Sequence, residues 1–523
     1  MIAGWKISAA VSAVVVALLI VVACAPAAAP TATPAPKPAE QPKPAAAAPT
    51  NTPAPAAAAK PTEPAKDAAG AAGQAPAAAA AATTIAQQSA KPAEAAPTKP
   101  AVQAAAPAKP GEKVTLRFLT LSAPGPQKAF QLMAQEYKAK VNPNVELEIE
   151  AVSWDQLFPK IQAISAAKTP YDIIWADGPN LWSFAYNGVI APLDEWFDRD
   201  FIQKSWLPSS LITSYYRGKF FAPPERESCS LLWYNKDATD KAGIDPPAEF
   251  SKSWTMEEAL VAWQKVNNPP AMYGLRWGQG SDFGQDYENG LFRRLAATSK
   301  NSPAFKAVAD DGLTMTGYFD HPEAVKGHQF LQDIHQKYKI SPVEAIPDAW
   351  FNQKVAFYLS PDNAIGTYER LHPNGSFKYG VTGIPYFKGG TQICHNDSLH
   401  YALGAYSQHK KEAAEFIKFM SGEQGARIYY EVEGQLPAHA ALLNSLPAYQ
   451  KYPRSLVLEQ FKQVATPRVV TVGFTEYNTL AIELFGNLIQ IPGANVQELA
   501  TQTAKRADSL TAKYKDWQTK PIG

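Results

Sequence analysis

The chain has 523 residues, with 49 Lys and Arg against 48 Asp and Glu, for a formal net charge of +1. A balance so close to zero argues against a nucleic acid as partner and leaves the chemistry of any ligand open. The first residues carry the strongest signal. After Lys6 the chain runs from Ile7 to Val22 almost without a polar side chain and ends Val21-Val22-Ala23-Cys24. One positive charge, an apolar run of about 15 residues and a small residue before the cut describe a secretory signal. Cys24 directly after the cut offers a thiol for a lipid anchor, and two or three acyl chains hold a protein on a membrane far more firmly than one. A spanning helix would be equally apolar, since ~20 residues cross a bilayer core, but it has no need of the Ala-Cys ending.

From Ala25 to Glu112 the composition is Ala, Pro, Thr, Lys and Gln with almost no large apolar residue. Such a segment cannot bury enough surface to offset the entropy of ordering it, and its prolines favour extended polyproline II. The expectation is a signal peptide over 1–23 and a disordered linker over 24–112. The remaining chain, roughly 410 residues, exceeds what one hydrophobic core supports, so two lobes are expected. Cys229 and Cys394 remain after Cys24; outside the cytoplasm they form a disulfide or stay as two buried thiols.

The head opens with alternation at Val114, Leu116, Phe118 and Thr120, a strand broken by Ser122-Ala123-Pro124-Gly125-Pro126. Phe130, Met133 and Tyr137 then recur at helical spacing. Val145, Leu147, Ile149 and Ala151 predict a second strand, Leu157, Ile161 and Ile164 a second helix, and Tyr171 to Trp175 a third, buried strand. Strand, helix, strand, helix, strand predicts a parallel α/β sheet, with ligands at the carboxyl ends of its strands. Further on, helices are expected over Trp254–Val266, His321–Tyr338 and His409–Met420, and a short strand over Val355–Leu359. A last helix over Asn495–Tyr514 is expected to bury Val496, Leu499, Thr503, Leu510 and Tyr514.

Several passages resemble the extracellular solute-binding proteins of ABC importers, in the group that contains maltose-binding protein. They are Ala166-Ala167-Lys168-Thr169-Pro170-Tyr171-Asp172-Ile173-Ile174, Asn187-Gly188-Val189-Ile190-Ala191-Pro192-Leu193, and Leu231-Leu232-Trp233-Tyr234-Asn235-Lys236-Asp237 with Ala242-Gly243-Ile244-Asp245-Pro246-Pro247. A fourth set is Tyr379-Gly380-Val381-Thr382-Gly383-Ile384-Pro385, Gly404-Ala405-Tyr406-Ser407, Lys411-Glu412-Ala413-Ala414 and Leu436-Pro437-Ala438. The resemblance implies the two-lobe periplasmic-binding-protein-like α/β fold (type II). Its lobes would be 113–228 plus 399–437 and 229–398 plus 438–523, joined by hinge strands near Cys229 and Cys394, closing on a ligand by hinge motion.

By position in those segments, the ligand contacts implied are Ser122, Gly125, Trp154, Asp177 and Trp182 from the first lobe and Arg226 and Glu227 before the hinge. From the second lobe they are Trp277, Asp286, Tyr287, Asp362, Asn363, Tyr368 and Asp397. Aromatic faces and carboxylates suit a carbohydrate, whose C–H faces stack and whose hydroxyls pair. Ser360-Pro361-Asp362-Asn363 stands where maltose-binding protein has a Gly-Pro-Trp, so maltose itself is not implied. The implied function is a lipid-anchored, extracytoplasmic receptor, monomeric, delivering a solute to permease subunits, with no cofactor, metal or catalytic residue. The alternative is a secreted, membrane-anchored carbohydrate-active enzyme. Its motifs are weak: Ser165–Lys168 has the S-x-x-K spacing but no Lys-Thr-Gly partner, and Gly278, Gly280 and Gly284 lack the context of a dinucleotide loop. A metal set of His395, Asp397 and His400 has no usual zinc spacing.

Overall fold

The computed structural model describes residues 112–277, 287, 289–361, 363–372, 375–396 and 399–522. The leader, Cys24 and the linker lie outside the described residues, as do Gly278–Gly284, Asp286, Asp362, Asp397 and the side chain of Asn363. In chain order the strands are β1 (Val114–Leu121), β2 (Val145–Val152), β3 (Ile173–Asp177), β4 (Ile190–Ala191), β5 (Tyr215–Tyr216), β6 (Lys219–Phe220) and β7 (Pro224–Arg226). There follow β8 (Ser230–Asn235), β9 (Tyr273–Trp277), β10 (Val355–Pro361), β11 (Tyr379–Thr382), β12 (Cys394–Asn396), β13 (Leu399–Gly404) and β14 (Ala465–Pro467).

The first sheet has the order β2-β1-β3-β13-β4, with β7 also paired to β13, while β5 and β6 form a separate hairpin. β1 lies parallel to β2 and β3, and β13 returns antiparallel to β3. The alternation at Val114, Leu116 and Phe118 therefore packs inward, against the helices Pro124–Lys140, Lys410–Ser421 and Glu423–Glu433. Phe118, Phe130 and Tyr401 meet edge to face at the centre of this core, a geometry that brings ring edges to π faces.

The second sheet is ordered β11-β8-β10-β9. β8 is antiparallel to β10 and β11, while β9 is parallel to β10. All of β8 is buried, so it reads as a continuous apolar run rather than an alternating one. The helices Met256–Val266, Gly290–Ala296, Pro322–Gln336, Phe474–Gln490 and Val496–Thr511 contribute side chains to this second core. Gly327 sets the approach of two of them. A Cβ there would stand 2.6 Å from Arg293 Cα and against the Phe292 carbonyl. Gly327→Ala is expected to destabilise the head by about 2 kcal/mol through overpacking, read as a lower urea midpoint at unchanged m; an unchanged midpoint would show that the helices part freely.

Expected elements appear with shifted ends, and one expectation is corrected. The helix Val496–Thr511 buries Val496, Ala500, Thr503, Ala504 and Ala507, while Leu510 is exposed and Leu499 only half-buried. Small alanines let this helix lie close to its neighbour, and the bulkier leucines mark the rim. Beyond it, Tyr514 is buried in the first core, and Trp517 packs on Trp182 and Tyr216.

Among the described residues, three stretches lie where the chain passes between the sheets. The first is Glu227-Ser228-Cys229 between β7 and β8, the second is β12, and the third follows the helix Glu423–Glu433. Glu227 N donates to Leu436 O at 2.9 Å, and Arg226 bridges Pro437, which aligns the first and third. Cys229 and Cys394 form a disulfide, with Cα atoms 5.6 Å apart, that joins the first and second. Gln460 secures the same place by donating to Ser230 O at 2.6 Å and accepting from Ile384 N at 2.9 Å.

Candidate functional site

Parallel pairing of β1, β2 and β3 brings their carboxyl ends to one edge, where Ser122 and Trp154 follow the first two strands and Asp177 ends the third. Ser122 is exposed and its N–H closes on Val152 O at 2.7 Å. Trp154 opens a helix over Trp154–Ala166, begun by Ser153 in a capping box with Gln156. Its ring is half-buried, edge to face with Trp175 at 6.2 Å and Phe158 at 5.3 Å. Asp177 ends β3 and is 1% exposed. One carboxylate oxygen accepts from the Arg468 guanidinium, and the other accepts from Asn180 Nδ2 at 3.4 Å.

Opposite stands the helix Phe474–Gln490. Phe474, Asn478 and Ile482 recur every four residues and so share one face, and all three line a cavity of about 260 Å³ with Trp154, Asp177, Asn180 and Arg468. Asn478 Oδ1 is buried and meets no donor among the described residues. Arg468 is 3% exposed and is flanked by the rings of Tyr287 and Phe474, 5.7 and 5.8 Å from its guanidinium carbon. The arrangement offers two aromatic walls, a carboxylate, two amides and a guanidinium. Among the described residues that line it Asp177 is the one carboxylate, and no cluster of metal-ligating side chains occurs among the described residues.

The other expected residues lie elsewhere. Gly125 packs on the Glu433 carboxylate, which occupies the space a Cβ would take. Trp182 donates from Nε1 to Tyr215 O at 2.7 Å and stacks with the carboxyl-terminal segment. Arg226 on β7 pairs with Leu399 on β13, while Glu227 is buried and accepts from Asn396 Nδ2 at 3.3 Å, both at the crossings. Tyr287 also belongs to the crossings: its hydroxyl bonds Ser228 Oγ and donates to His395 O, each at 3.2 Å. Trp277 stacks on Phe292 at 4.0 Å in the second core. Tyr368 spends its hydroxyl on a turn, accepting from Ser376 N and Phe377 N at 3.1 Å and donating to Phe377 O.

His395 Nδ1 donates to Tyr287 O at 2.8 Å, and burial holds its pKa well below the usual value, so the ring is neutral. Beneath the site Glu225 is buried on β7, bonded by Trp175 Nε1. Burial pushes its carboxyl up to about 7 against the pull of Arg226, and Glu433 pushes it the same way.

Sequence reasoning missed Asn180, Arg468, Phe474 and Asn478. Phe474, Tyr477, Ala481, Leu484 and Leu488 form a stripe of helical spacing that would have revealed the helix. Arg468 stands in an irregular segment and carries no such signal.

Residues 123–427, more than half of the chain, match the family model described as bacterial extracellular solute-binding protein. The chain belongs to that family. Solute-binding proteins of similar fold include ABC substrate-binding protein Lmo0181 from Listeria monocytogenes, solved in complex with cycloalternan. It has a TM-score of 0.63 at 21% identity, covering 77% of this chain and 99% of that one. Another is a solute-binding protein from Thermotoga lettingae bound with alpha-D-tagatose, with a TM-score of 0.65 at 18% identity and coverage of 76% and 99%. In sequence the chain is 24% identical over 323 residues to a binding protein of Brucella abortus, 59% of this chain and 72% of the relative. It is 26% identical over 254 residues to the sn-glycerol-3-phosphate-binding periplasmic protein UgpB of Salmonella paratyphi A, 46% of this chain and 55% of UgpB. The chain is thus a solute-binding protein by family, and its fold is that of the two-lobe binding proteins. No helix among the described residues is long and apolar enough to cross a membrane.

Proposed function

We propose that this solute-binding protein captures a carbohydrate between its lobes and delivers it to the permease of an ABC importer. The lobes comprise 113–228 plus 399–437 and 229–398 plus 438–523. Cys24 carries the lipid that holds the protein to the outer face of the membrane, and 24–112 is the spacer. The carrying observation is the cavity that sets Trp154 and Phe474 beside Asp177, Asn180 and Asn478. Aromatic faces take the C–H surfaces of a sugar ring while the amides and carboxylate take its hydroxyls. Closure on the ligand requires that both sides of the cleft contribute affinity, as β3 and the helix Phe474–Gln490 do.

Calorimetric titration of the protein with maltotriose, mannobiose, tagatose and glucose tests the reading. One sugar is expected to bind, and Trp154→Ala to weaken it roughly tenfold through the lost aromatic face. Silence across the panel from a folded protein would remove the carbohydrate assignment, and full affinity in the variant would remove Trp154 from the site.

A further inference from the structure

The helix Val496–Thr511 packs in the second core, but the residues after it do not stay there. Tyr514 is buried in the first core, and Trp517 and Ile522 pack against that core. Trp517 has a grip on each side. Its ring lies 5.4 Å from that of Trp182 and 6.2 Å from that of Tyr216, whose hydroxyl donates to Trp517 O at 2.9 Å. Its Nε1 donates to Asp311 O at 2.8 Å, and a Cβ on Gly312 would stand 3.2 Å from Trp517 Cζ2. That turn is fixed to the last helix, because Thr511 Oγ1 donates to Leu313 O at 2.9 Å and Met315 N donates to Asp508 at 2.6 Å.

Tyr514 repeats the pattern. Its hydroxyl donates to Glu476 Oε1 at 2.9 Å, while its ring meets that of Tyr186 at 5.2 Å. Tyr186 in turn donates from its hydroxyl to Asp516 Oδ1 at 2.7 Å. These grips stand beside the cavity. Trp182 and Tyr186 belong to the helix Leu181–Tyr186, which directly follows Asn180, and Glu476 lies between Phe474 and Asn478 on the opposing helix.

We infer that the carboxyl-terminal segment 512–522 is a strap that holds the two walls of the cavity at ligand-binding distance, with Trp517 as its positioning residue. This deepens the binding reading above and rests on it for what the strap serves. The cavity draws on both cores, with Trp154 packed against the first and Phe474 in the second. A motion that parts the helix Leu181–Tyr186 from the helix Phe474–Gln490 opens it, and that motion must break one set of grips. The strap therefore stabilises the arrangement in which both walls reach one ligand, and apparent affinity falls as that arrangement is depopulated. Its hold is light. Lys515, Asp516, Gln518 and Thr519 are exposed and Trp517 is half-buried, and one such ring contact with its hydrogen bond shifts an equilibrium about tenfold.

Nitroxide labels test the strap without any ligand. They are placed as Gln162→Cys with Val261→Cys and as Asp200→Cys with Val261→Cys, in the chain carrying Cys24→Ala so that only the added thiols react. All three positions are exposed, the first and third on helices of the first core and Val261 on a helix of the second. Two pairs are used because a rotation that leaves one distance fixed changes the other. Pulsed electron resonance is expected to give narrow distributions in the otherwise wild-type chain and longer, broader ones in W517A and in a chain ended after Lys515. W517F, which keeps a ring and loses the Nε1 bond, is expected between them. For any sugar that binds the wild type, W517A is expected to raise Kd about tenfold, chiefly through faster dissociation, with partial recovery in W517F. A merely structural segment would lower the melting temperature and leave distances and affinity unchanged, and that result overturns the inference. If the shortened chain does not fold, W517F decides: wild-type distances and affinity there, together with those of W517A, overturn it. Shifted distances in a protein silent to every sugar would keep the strap and remove the carbohydrate reading.

Discussion

Replacing Cys229 and Cys394 together with alanine is expected to lower the unfolding free energy by ~4 kcal/mol, within the range that closing a long loop provides. The bridge joins residues 165 positions apart, so in the unfolded chain it removes the conformations in which the two crossings wander independently. In the folded chain both sulfurs are fully buried within the second core. Alanine is the cleaner replacement, since serine would place two hydroxyls where polar groups must be satisfied. Urea unfolding of the oxidised wild type, the reduced wild type and the double variant measures the effect. The reduced protein and the variant should unfold at similar, lower urea. Coincident curves for all three would show that the neighbouring bonds, Glu227 N to Leu436 O and Gln460 to Ser230 O, hold the crossings without the bridge.

The stability of the head is also expected to fall as pH rises from about 4.5 to about 7, and Glu225 is the cause. Its carboxyl ionises near 4.5 when free and only at about 7 in the folded protein, chiefly because burial penalises the charge. Between those values the folded state keeps a proton that the unfolded state has released. Stability therefore declines through that window and levels off above it. The full difference corresponds to about 3 kcal/mol. Facing Glu225 are Trp175 on β3, Tyr401 on β13, Tyr429 and Glu433 on the helix Glu423–Glu433, and its neighbour Arg226. Both tyrosines are held well above their ordinary value, so neither titrates in the window. Glu225→Gln keeps an acceptor for Trp175 Nε1 and loses the proton equilibrium. Urea unfolding from pH 5 to pH 8 should show a decline in the wild type, a flatter line in the variant, and a more stable variant at pH 8. Parallel lines would assign the decline to other groups.

Much of this architecture was legible in the chain because its local signals agree. The alternation at Val114–Phe118 and Val145–Ile149 and the helical stripe at Phe130, Met133 and Tyr137 occur where the first sheet and its helices form. The family passages around Tyr234 and Gly404 mark β8 and β13, which lie in different sheets. Asp177 was visible as a carboxylate at the end of a buried strand. A polar group at such a place must find a partner, and the same reasoning applies whatever lies beyond it in the sequence.

Side-chain destinations were less legible. Trp154, Trp182 and Trp277 look alike in the sequence, yet one lines the cavity, one packs against the carboxyl-terminal segment and one stacks in the second core. Each is an amphipathic ring that suits all three places, and the neighbours that decide among them come from distant parts of the chain. The sequence by itself determined the class of the fold, the strand ends that border the cavity and the two cysteines left for the head. Only the tertiary structure decided what faces Asp177, because Arg468 lies 291 residues further along the chain and no periodicity or motif connects them. Charge pairing across such a distance depends on the crossings that bring β14 and its following segment beside β3. Local patterns set the elements, and the packing of two cores about three crossings set the site.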